Sequence, residues 1–561
     1  MSKILISCVP NFSEGRNKAA LDEIAQAIRA VQGVALLHID PGASTNRTVF
    51  TFVGTPEDVI EAAFQAIRAA ANLIDMRVHS GAHPRMGATD VCPLVPLSGI
   101  SWQELVPYSI QLARRVGKEL DIPVYLYEYS AAASHRKSLS AIREGEYEGF
   151  ANKMKQPQWL PDFGPVTFNL KSGATVIGVR EFLVAYNVNL NSKSVRLANS
   201  VAFDVRENGR VRTENGKPTG KPVIGSDGEP ERIPGMLKHC KGIGWYVEEY
   251  GIAQVSMNLT NLTETPLHKA FEACEVSAQK RGLRVTGSEV VGLLPKKCLV
   301  EAGKFFLEKQ GRSTGIPEED LIEIAVKSLG LSELSPFIAS ERIIELAAFK
   351  NNAPLAGLKI NEFVAEVSRE TPAPGGGSVA ALVGSLGAAL GAMVANLSAG
   401  KRGWEEKIPH FSSLADKLQA AKQQLLDAVD QDTAAFKLVM NAFSLPKTTD
   451  IEKQQRQEAI QKATLEAAYV PFKTIQAAIS LYPMLSELVQ HGNPSSFSDA
   501  LVGALCVHTC VKGCGYNVQV NLQGIDNQDI SDDLKKKTLT LVAESKSSFE
   551  RIEAIANEKL R

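Results

Sequence analysis

The sequence predicts an α+β N-terminal module of two βαββαβ lobes, joined to an all-α helical C-terminal module. Three observations support this prediction. Strand-like and helix-like spacings of apolar residues alternate through roughly the first 340 residues, the order of these elements occurs twice, and helical spacing alone continues to residue 561. A chain of 561 residues has the length of about three to four domains.

The first lobe is predicted from residues 3–96, where the order βαββαβ is that of a ferredoxin-like unit. The predicted elements are a strand over 3–9, a helix over 17–31, strands over 34–40 and 48–53, a helix from Thr55, a strand over 91–97, a helix from Ser101 and a strand over 124–129. Thr55 offers an N-cap with Pro56 at the first helical position and Asp58 three residues after the cap. Glu104 completes a capping box for the later helix.

The same order recurs after residue 183, which we interpret as a topological duplication that makes a second ferredoxin-like lobe. Its predicted elements are a strand over 183–190, a helix over 192–205, strands over 243–249 and 252–259, a helix over 266–281 and a strand over 283–294. Residues 207–231 are rich in glycine and charge, so we expect a flexible excursion without regular elements there.

Strand signals fade after residue 346, which sets the predicted domain organisation. The expected parts are an N-terminal subdomain over 1–182, a second subdomain over 183–346, a linker over 347–356 and a helical domain over 357–561. Two such modules indicate two activities.

One stretch of the helical domain, residues 371–400, carries no charged residue and is long enough to cross a bilayer. It consists largely of Ala, Gly and Ser, and small residues four apart, such as Gly387 and Gly391, permit close helix contacts. We therefore interpret it as the central helix of the helical domain and expect no membrane span.

Composition narrows the classes of partner and compartment. The 61 Lys and Arg residues against 62 Asp and Glu give a formal charge of −1, which argues against nucleic-acid binding. Eight scattered cysteines fit a reducing cytoplasm better than a disulfide scaffold. The first residues, MSKILISCVPNFSEGR, have the pattern of a strand, so we expect no signal peptide.

Residues 79–87, HSGAHPRMG, contain two histidines in a predicted loop. A metal site on a helix is disfavoured because Gly81 and Pro84 interrupt the spacing. The loop instead suits a general acid or base beside Arg85, which could hold a carboxylate. A loop histidine that only caps backbone groups remains the alternative.

Two glycine-rich segments are candidates for ligand contacts. The segment that follows Asp162, up to Gly173, can present backbone amides to a flat heterocycle or a carboxylate, or can be a simple turn. Residues 372–378, PAPGGGS, precede a helix whose free amides can hold an anion, although a tight entry turn is equally compatible. The segment lacks the Lys of a phosphate-binding loop, so ATP or GTP use is not predicted.

Asp432 interrupts an apolar helical stripe formed by Leu425, Val429, Phe436 and Val439. This position turns its carboxylate toward the core, where burial raises the pKa and suits proton exchange near neutrality. The alternative is a structural pairing with a Lys or with an unpaired helix amide. Asp430 is expected to face solvent, and Asp499, in the first turn of the helix after GNPSSFS, to cap that helix or to stabilise its dipole.

These segments together resemble a known family. CVPNFSEGRN, STNRTVFTFVG, HPRMGATDVCP, PDFGP, GATVIGVR, GIGWYVEE and VSMNLT are similar to its formimidoyltransferase module, and TPAPGGGSVAALVG, VDQDTAAF and GNPSSFSDA to its cyclodeaminase module. The chain resembles the bifunctional formimidoyltransferase-cyclodeaminase family, folate enzymes of histidine degradation.

The resemblance implies two reactions: transfer of the formimidoyl group from N-formimidoyl-L-glutamate to (polyglutamyl) tetrahydrofolate, then closure to 5,10-methenyltetrahydrofolate with loss of ammonia. It places transferase catalysis on His83 and cyclodeaminase catalysis on Asp432. The implied folate contacts are Gly164, Pro165, Val166, Thr167, Phe168, Asn169, Leu170, Lys171, Ser172 and Gly173. Tetrahydrofolate serves as co-substrate, and neither a metal nor a nicotinamide is required.

The family's ring-like octamers imply a homo-oligomer here, an octamer in the cytoplasm. Two other functions remain open at this point. A transferase that uses formylglutamate would keep the same site, and a non-catalytic folate-binding scaffold would keep the 164–173 loop but tolerate loss of His83.

Overall fold

The computed structural model describes residues 4–43, 45–81, 84–216, 220–348 and 354–561. Its contacts form two compact units, one of Met1–Glu301 with Val326–Lys350 and one of Ala302–Ala325 with Asn351–Arg561. The first unit contains mixed and antiparallel sheets, whereas the regular elements in the described residues of the second are all helices. The division into a mixed α/β part and a helical part is therefore confirmed.

The first sheet has seven strands with helices packed against it. Its elements are β1 Leu5–Cys8, β2 Asn11–Phe12, α1 Lys18–Arg29, β3 Ala35–Gly42, β4 Arg47–Gly54, α2 Pro56–Leu73, β5 Thr89–Ser98, α3 Trp102–Glu119, β6 Val124–Leu126, α4 Leu139–Arg143, α5 Glu146–Lys153 and β7 Thr175–Val179. β1 pairs with both β4 and β5, antiparallel to each, while β7 lies parallel between β5 and β6.

The two faces of this sheet bury different cores. On β6, Val124 and Leu126 belong to the core that includes α1, α2 and α3, whereas Tyr125 belongs to a smaller core with α4 and α5. Successive residues of a strand point to opposite faces, so one short strand supports both cores.

Local capping signals correctly predicted where α2 and α3 begin. The Thr55 hydroxyl accepts a hydrogen bond from the Asp58 N–H, and Ser101 and Glu104 form the predicted capping box. The sequence interpretation missed β7, α4 and α5. Residues 175–179 are all buried and read TVIGV, so they lack the alternation that marks a half-exposed strand.

The second sheet has four strands and shares part of the strand order of the first. The elements are β8 Val184–Leu190, α6 Val195–Val205, β9 Arg210–Val211, β10 Arg232–Ile233, β11 Cys240–Val247, β12 Ile252–Leu259, α7 Leu267–Gln279, β13 Val285–Val291, α8 Lys296–Lys309, α9 Glu318–Ser328, α10 Ala339–Arg342 and α11 Ile344–Ala348. Its order is β11-β12-β8-β13, with all pairs antiparallel. In the first sheet β1 lies between β4 and β5, and in the second sheet β8 lies between β12 and β13. The first strand of each βαββαβ series thus lies between the third and the fourth strands of that series.

The excursion over 207–231 is more ordered than predicted. β9 pairs with β10, and isolated bridges join Thr213 to Pro222 and Ile224 to Pro230. Residues 217–219 lie outside the described part of the chain. The expectation of no regular element was wrong, because such short pairings leave no hydrophobic periodicity to read.

The helical unit is built around one apolar helix. Its helices are α12 Ile360–Val367, α13 Gly376–Ala399, α14 Ile408–Phe443, α15 Asp450–Ile479, α16 Tyr482–His491, α17 Phe497–Leu522 and α18 Gln528–Leu560. α13 packs against α14 and α17, and a Cβ on Gly384 would lie 2.6 Å from the Cys510 Sγ. α13 is long and apolar enough to span a membrane, yet 61% of its most apolar window is buried, as expected of a central core helix.

Residues between α8 and α9 pack within the helical unit. The Asn396 side-chain amide donates to the Gly315 carbonyl at 2.7 Å, and the Thr314 N–H donates to Ser412 Oγ at 2.9 Å. A Cβ on Gly315 would overlap that of Ala415, so only glycine allows this approach. The boundaries predicted after residues 182, 346 and 356 remain predictions.

Candidate active sites

His83, the predicted transferase residue, lies outside the described residues, but the chain that follows it is well defined. The Ala88 N–H donates to the Ser172 carbonyl at 2.8 Å, and the Ala174 N–H donates to the Met86 carbonyl at 3.0 Å. These bonds tie the end of the 164–173 loop to the chain three residues after position 83. A side chain at Gly87 would overlap the Ala174 carbonyl, so this approach requires glycine.

The 164–173 loop is anchored at both ends and exposed between them. At its start, Asp162 accepts bonds from the Leu126 N–H at 2.8 Å and from Arg136 at 2.9 Å. Within the loop, Val166 and Leu170 are 65% and 63% exposed. An accessible apolar surface of this kind suits a flat heterocycle.

Part of the amide surface predicted for this loop is already used. The Asn169 side-chain oxygen accepts from the N–H groups of Lys171 and Ser172, at 3.1 and 2.9 Å, and the Gly173 N–H donates to the Asn169 carbonyl at 2.7 Å. These three amides hold the loop itself. Any backbone contact to a ligand therefore falls to the residues before them.

Arg85 holds carboxylates, but they belong to the protein. Its guanidinium bonds to Glu148 at 2.7 Å and to Glu146 at 3.1 Å, and its side chain is 9% exposed. The Arg85 bond lowers the pKa of the Glu148 carboxyl. Arg85 thus holds carboxylates, as its type suggested, but these come from α5, which supplies two partners that no local pattern revealed.

His79 has a structural role. Its Nδ1 accepts from Arg85 Nε at 3.3 Å, since a guanidinium can only donate, and its Nε2 therefore donates to the Asn46 carbonyl at 2.9 Å. Both ring nitrogens are used in the neutral imidazole. The interpretation of a loop histidine that caps backbone groups holds for His79.

A buried charge cluster beneath this loop was not anticipated. The Asp90 carboxylate, with no exposed surface, bonds to Arg47 at 2.5 Å, to Arg143 at 2.6 Å and to the Met86 N–H at 3.0 Å. Arg47 also donates to the Asn11 side-chain oxygen at 3.1 Å. The sequence did contain a signal for this cluster, because Arg47 and Asp90 lie within apolar strand segments. Buried charges are rarely unpaired, so such residues are expected to pair with one another.

We expect Asp90→Asn to destabilise the first unit by about 3–5 kcal/mol, because it leaves two buried guanidinium groups without a counter-charge. Chemical denaturation, monitored through the loss of transferase activity, measures the change in the free energy of unfolding. Asp75→Asn is the control, since Asp75 pairs with Arg77 at the surface and should change stability far less. Equal effects of the two variants would contradict the role of the cluster.

Asp432 of α14 lies over the first turn of α13. Ser378 Oγ is 3.1 Å from the Asp432 Oδ2 and 2.8 Å from the Val429 carbonyl oxygen. Burial raises the pKa of the Asp432 carboxyl above its usual value, although the bonds from Ser378 oppose the rise. On α17, contact with Cys510 and burial raise the pKa of the Cys514 thiol, and the Asp432 charge adds to the rise.

The stripe that predicted this position is present. Leu425 and Val429 are fully buried, and Phe436 is half-buried. The Asp432 carboxyl faces inward, as the stripe predicted, and burial raises its pKa. At the start of α13 it accepts a hydrogen bond from the Ser378 hydroxyl.

The neighbouring carboxylates differ from Asp432. Asp430 was expected to be solvated, but its oxygens accept from the N–H groups of Leu355 and Ala356 at 2.9 and 3.2 Å. That expectation was wrong, because the preceding chain folds back onto α14. Asp499 lies in the first turn of α17, as predicted.

Among the described residues, no group of three or more His, Cys, Asp or Glu side chains is arranged to hold a metal ion.

Comparisons with known proteins cover the whole chain. Three family models match in succession: the formiminotransferase domain, N-terminal subdomain, over residues 5–180, the formiminotransferase domain over 185–348, and formiminotransferase-cyclodeaminase over 359–540. The formimidoyltransferase-cyclodeaminase of Rattus norvegicus is 42% identical over 546 residues, which is 97% of each chain.

Two shorter relatives match parts of the chain. A glutamate formimidoyltransferase of Streptococcus pyogenes serotype M1 is 40% identical over 55% of this chain and 94% of its own length. A methenyltetrahydrofolate cyclohydrolase of Methylorubrum extorquens is 32% identical over 36% of this chain and 97% of its own length. With three consecutive domain matches and full-length similarity to a bifunctional enzyme, this chain belongs to the formimidoyltransferase-cyclodeaminase family.

Proposed function

We propose that the chain transfers the formimidoyl group from N-formimidoyl-L-glutamate to tetrahydrofolate, and then converts 5-formimidoyltetrahydrofolate to 5,10-methenyltetrahydrofolate and ammonia. The observation that carries this proposal is the 42% identity to the rat formimidoyltransferase-cyclodeaminase over 97% of both chains. The chain is thus an enzyme of two activities, and folate is its co-substrate.

In the transfer step, N5 of tetrahydrofolate attacks the amidine carbon of the donor, and the tetrahedral intermediate expels glutamate. N5 loses a proton and the leaving nitrogen gains one, so one positioned acid and base serves both events. We assign this role to His83. The exposed 164–173 loop, joined by backbone bonds to the chain after His83, is the proposed folate contact.

In the second step, N10 attacks the same carbon and its proton passes to the imino nitrogen. Departure of that nitrogen as ammonia needs one further proton. We assign the proton transfer to Asp432, because burial raises its pKa toward the range in which a carboxyl both accepts and releases protons.

The similarity to the Methylorubrum cyclohydrolase supports a second candidate for the helical half, the hydrolysis of methenyltetrahydrofolate. Pure protein incubated with tetrahydrofolate and N-formimidoyl-L-glutamate tests both proposals. The cyclodeaminase produces 5,10-methenyltetrahydrofolate, detected by its absorbance, and ammonia in equal amounts. The cyclohydrolase instead removes the absorbance of added methenyltetrahydrofolate. With formylglutamate as donor, the formyl-using alternative gives 5-formyltetrahydrofolate and glutamate without ammonia, both measured by chromatography. A folate-binding scaffold would give no product with either donor.

We further propose that each lobe is a ferredoxin-like unit and that the chain forms a homo-octamer in the cytoplasm. The placement of the first strand between the third and fourth in both sheets supports the lobe assignment. Exposed apolar side chains on the helical unit, such as Leu386, Val502 and Val520, support an assembly that covers them. Light scattering of the full chain measures the subunit number.

A fragment that ends near residue 351 should still transfer the formimidoyl group, because a Streptococcus transferase of similar extent exists alone. Its stability should be lower than in the full chain, because Thr314 and Gly315 lose their bonds to Ser412 and Asn396. Transfer rate and unfolding midpoint of the fragment are the measurements. A folded fragment that binds folate without transfer would contradict the proposed division.

A further inference from the structure

The start of α13 and the Asp432 carboxylate are built as one unit. We propose that Gly377 and Ser378 are positioning residues for Asp432 in ring closure: Gly377 leaves the space that the carboxylate fills, and Ser378 supplies a hydroxyl that follows its protonation state. This inference rests on the proposed cyclodeaminase function. It assigns a role to the PAPGGGS segment that helix entry alone does not explain.

Gly377 is required by space. A Cβ at this position would overlap the Asp432 Oδ1 and lie 2.6 Å from Oδ2. Real Cβ atoms do not approach this closely, so any side chain at 377 displaces the carboxylate. By contrast, a Cβ at Gly376 would meet its nearest neighbour, the Asn517 side-chain nitrogen, at an ordinary 3.5 Å.

The Ser378 hydroxyl has one proton and two strong acceptors. Its oxygen is 2.8 Å from the Val429 carbonyl and 3.1 Å from the Asp432 Oδ2, and Thr433 Oγ1 lies at 3.1 Å. A hydrogen bond to an ionised carboxylate is stronger than one to a neutral group. The proton therefore favours Asp432 when it is ionised and the Val429 carbonyl when Asp432 is protonated.

This arrangement stabilises both forms that a proton shuttle must visit. Ser378 favours the carboxylate, whereas burial favours the acid. Both partners of the hydroxyl lie on one rigid helix, so the change needs only rotation of the hydroxyl and no backbone movement. Ser378 has no exposed surface, which keeps water from replacing either bond.

The groups around Asp432 leave its titration simple. α13 carries no ionisable residue between Gly376 and Ala399. On α17, contact with Cys510 and burial raise the pKa of Cys514 well above its usual value, so that thiol stays neutral. On α14, Asp430 is bound by two backbone amides.

The first test compares Gly377→Ala with Gly376→Ala in the full chain, supplied with 5-formimidoyltetrahydrofolate. We expect Gly377→Ala to lower the kcat of ammonia release about 10²-fold with little change in KM, because a displacement of about 1 Å has this cost. Gly376→Ala adds the same methyl group and should lose far less. Equal kcat values in the two variants would overturn the spatial role of Gly377.

The second test compares pH profiles of Ser378→Ala and Ser385→Ala. Ser385 is a buried serine of the same helix that donates to the Lys422 carbonyl of α14 at 3.0 Å. Removal of the Ser378 hydroxyl raises the pKa of Asp432, so the acid limb of kcat should move up by about one pH unit. Ser385→Ala should leave the limb unchanged.

Far-ultraviolet circular dichroism and the thermal unfolding midpoint of the full chain verify that the helical unit of each variant is folded. An unmoved limb in folded Ser378→Ala, or an equal movement in Ser385→Ala, would overturn the role of Ser378. If the unaltered chain releases no ammonia, the proposed cyclodeaminase function itself fails. That result is distinct from an active chain that tolerates these substitutions.

Discussion

His83→Ala should lower formimidoyl transfer by about 10²–10⁴-fold, the effect of losing a positioned acid and base. The variant should still cyclise 5-formimidoyltetrahydrofolate that is supplied chemically, because Asp432 and its partners lie in the helical unit. Two assays of one preparation measure this: glutamate release from N-formimidoyl-L-glutamate, and ammonia release from the supplied intermediate.

His135→Ala is the matched control in the same lobe. Its Nε2 bonds to the Gln158 carbonyl at 3.0 Å, and its ring packs edge-on against Trp159, so its loss removes local contacts only. We expect His135→Ala to retain transfer. Equal loss of both activities in His83→Ala would indicate unfolding or a shared site, and undiminished transfer would remove His83 from the mechanism.

The sequence predicted those features whose causes are local. Ser101 and Glu104 form a capping box within three residues of each other, and the stripe that contains Asp432 repeats within four turns of a helix. Such patterns are readable because the interacting groups are close in the chain. The order of strands and helices could be predicted for the same reason.

Features that depend on distant segments were missed. The partners of Arg85, Glu146 and Glu148, lie about 60 residues away on a short helix without a clear hydrophobic pattern. Asp430 likewise binds Leu355 and Ala356 across more than 70 residues. A side chain's periodic position shows which way it faces on its helix, but not what covers it.

The same limit applies to Ser378. Its segment, PAPGGGS, was compatible with an anion at the helix start or with a tight entry turn, and Ser378 bonds to the Asp432 carboxylate, 54 residues further along the chain. Two separate predictions, one for each segment, thus describe one site. Only the packing of α13 against α14 joins them.

Asp432→Asn should stop ring closure while transfer continues. Asparagine keeps the size of the side chain and an oxygen that can accept the Ser378 bonds, but it has no exchangeable carboxyl proton. Ammonia release should fall by about 10²–10⁴-fold, as expected for loss of a general acid and base. The variant should accumulate 5-formimidoyltetrahydrofolate and free glutamate, both measurable by chromatography.

Asp430→Asn is the control for this result, because Asp430 lies two residues away on α14 and its carboxylate is held by the N–H groups of Leu355 and Ala356. Its replacement weakens those two bonds and should leave ring closure intact, since α14 still presents Asp432 to Ser378. If Asp432→Asn released ammonia at the wild-type rate, the proton would be carried by another group. Asp499, in the first turn of α17, would then be tested next, since Asp430 is already committed to backbone amides.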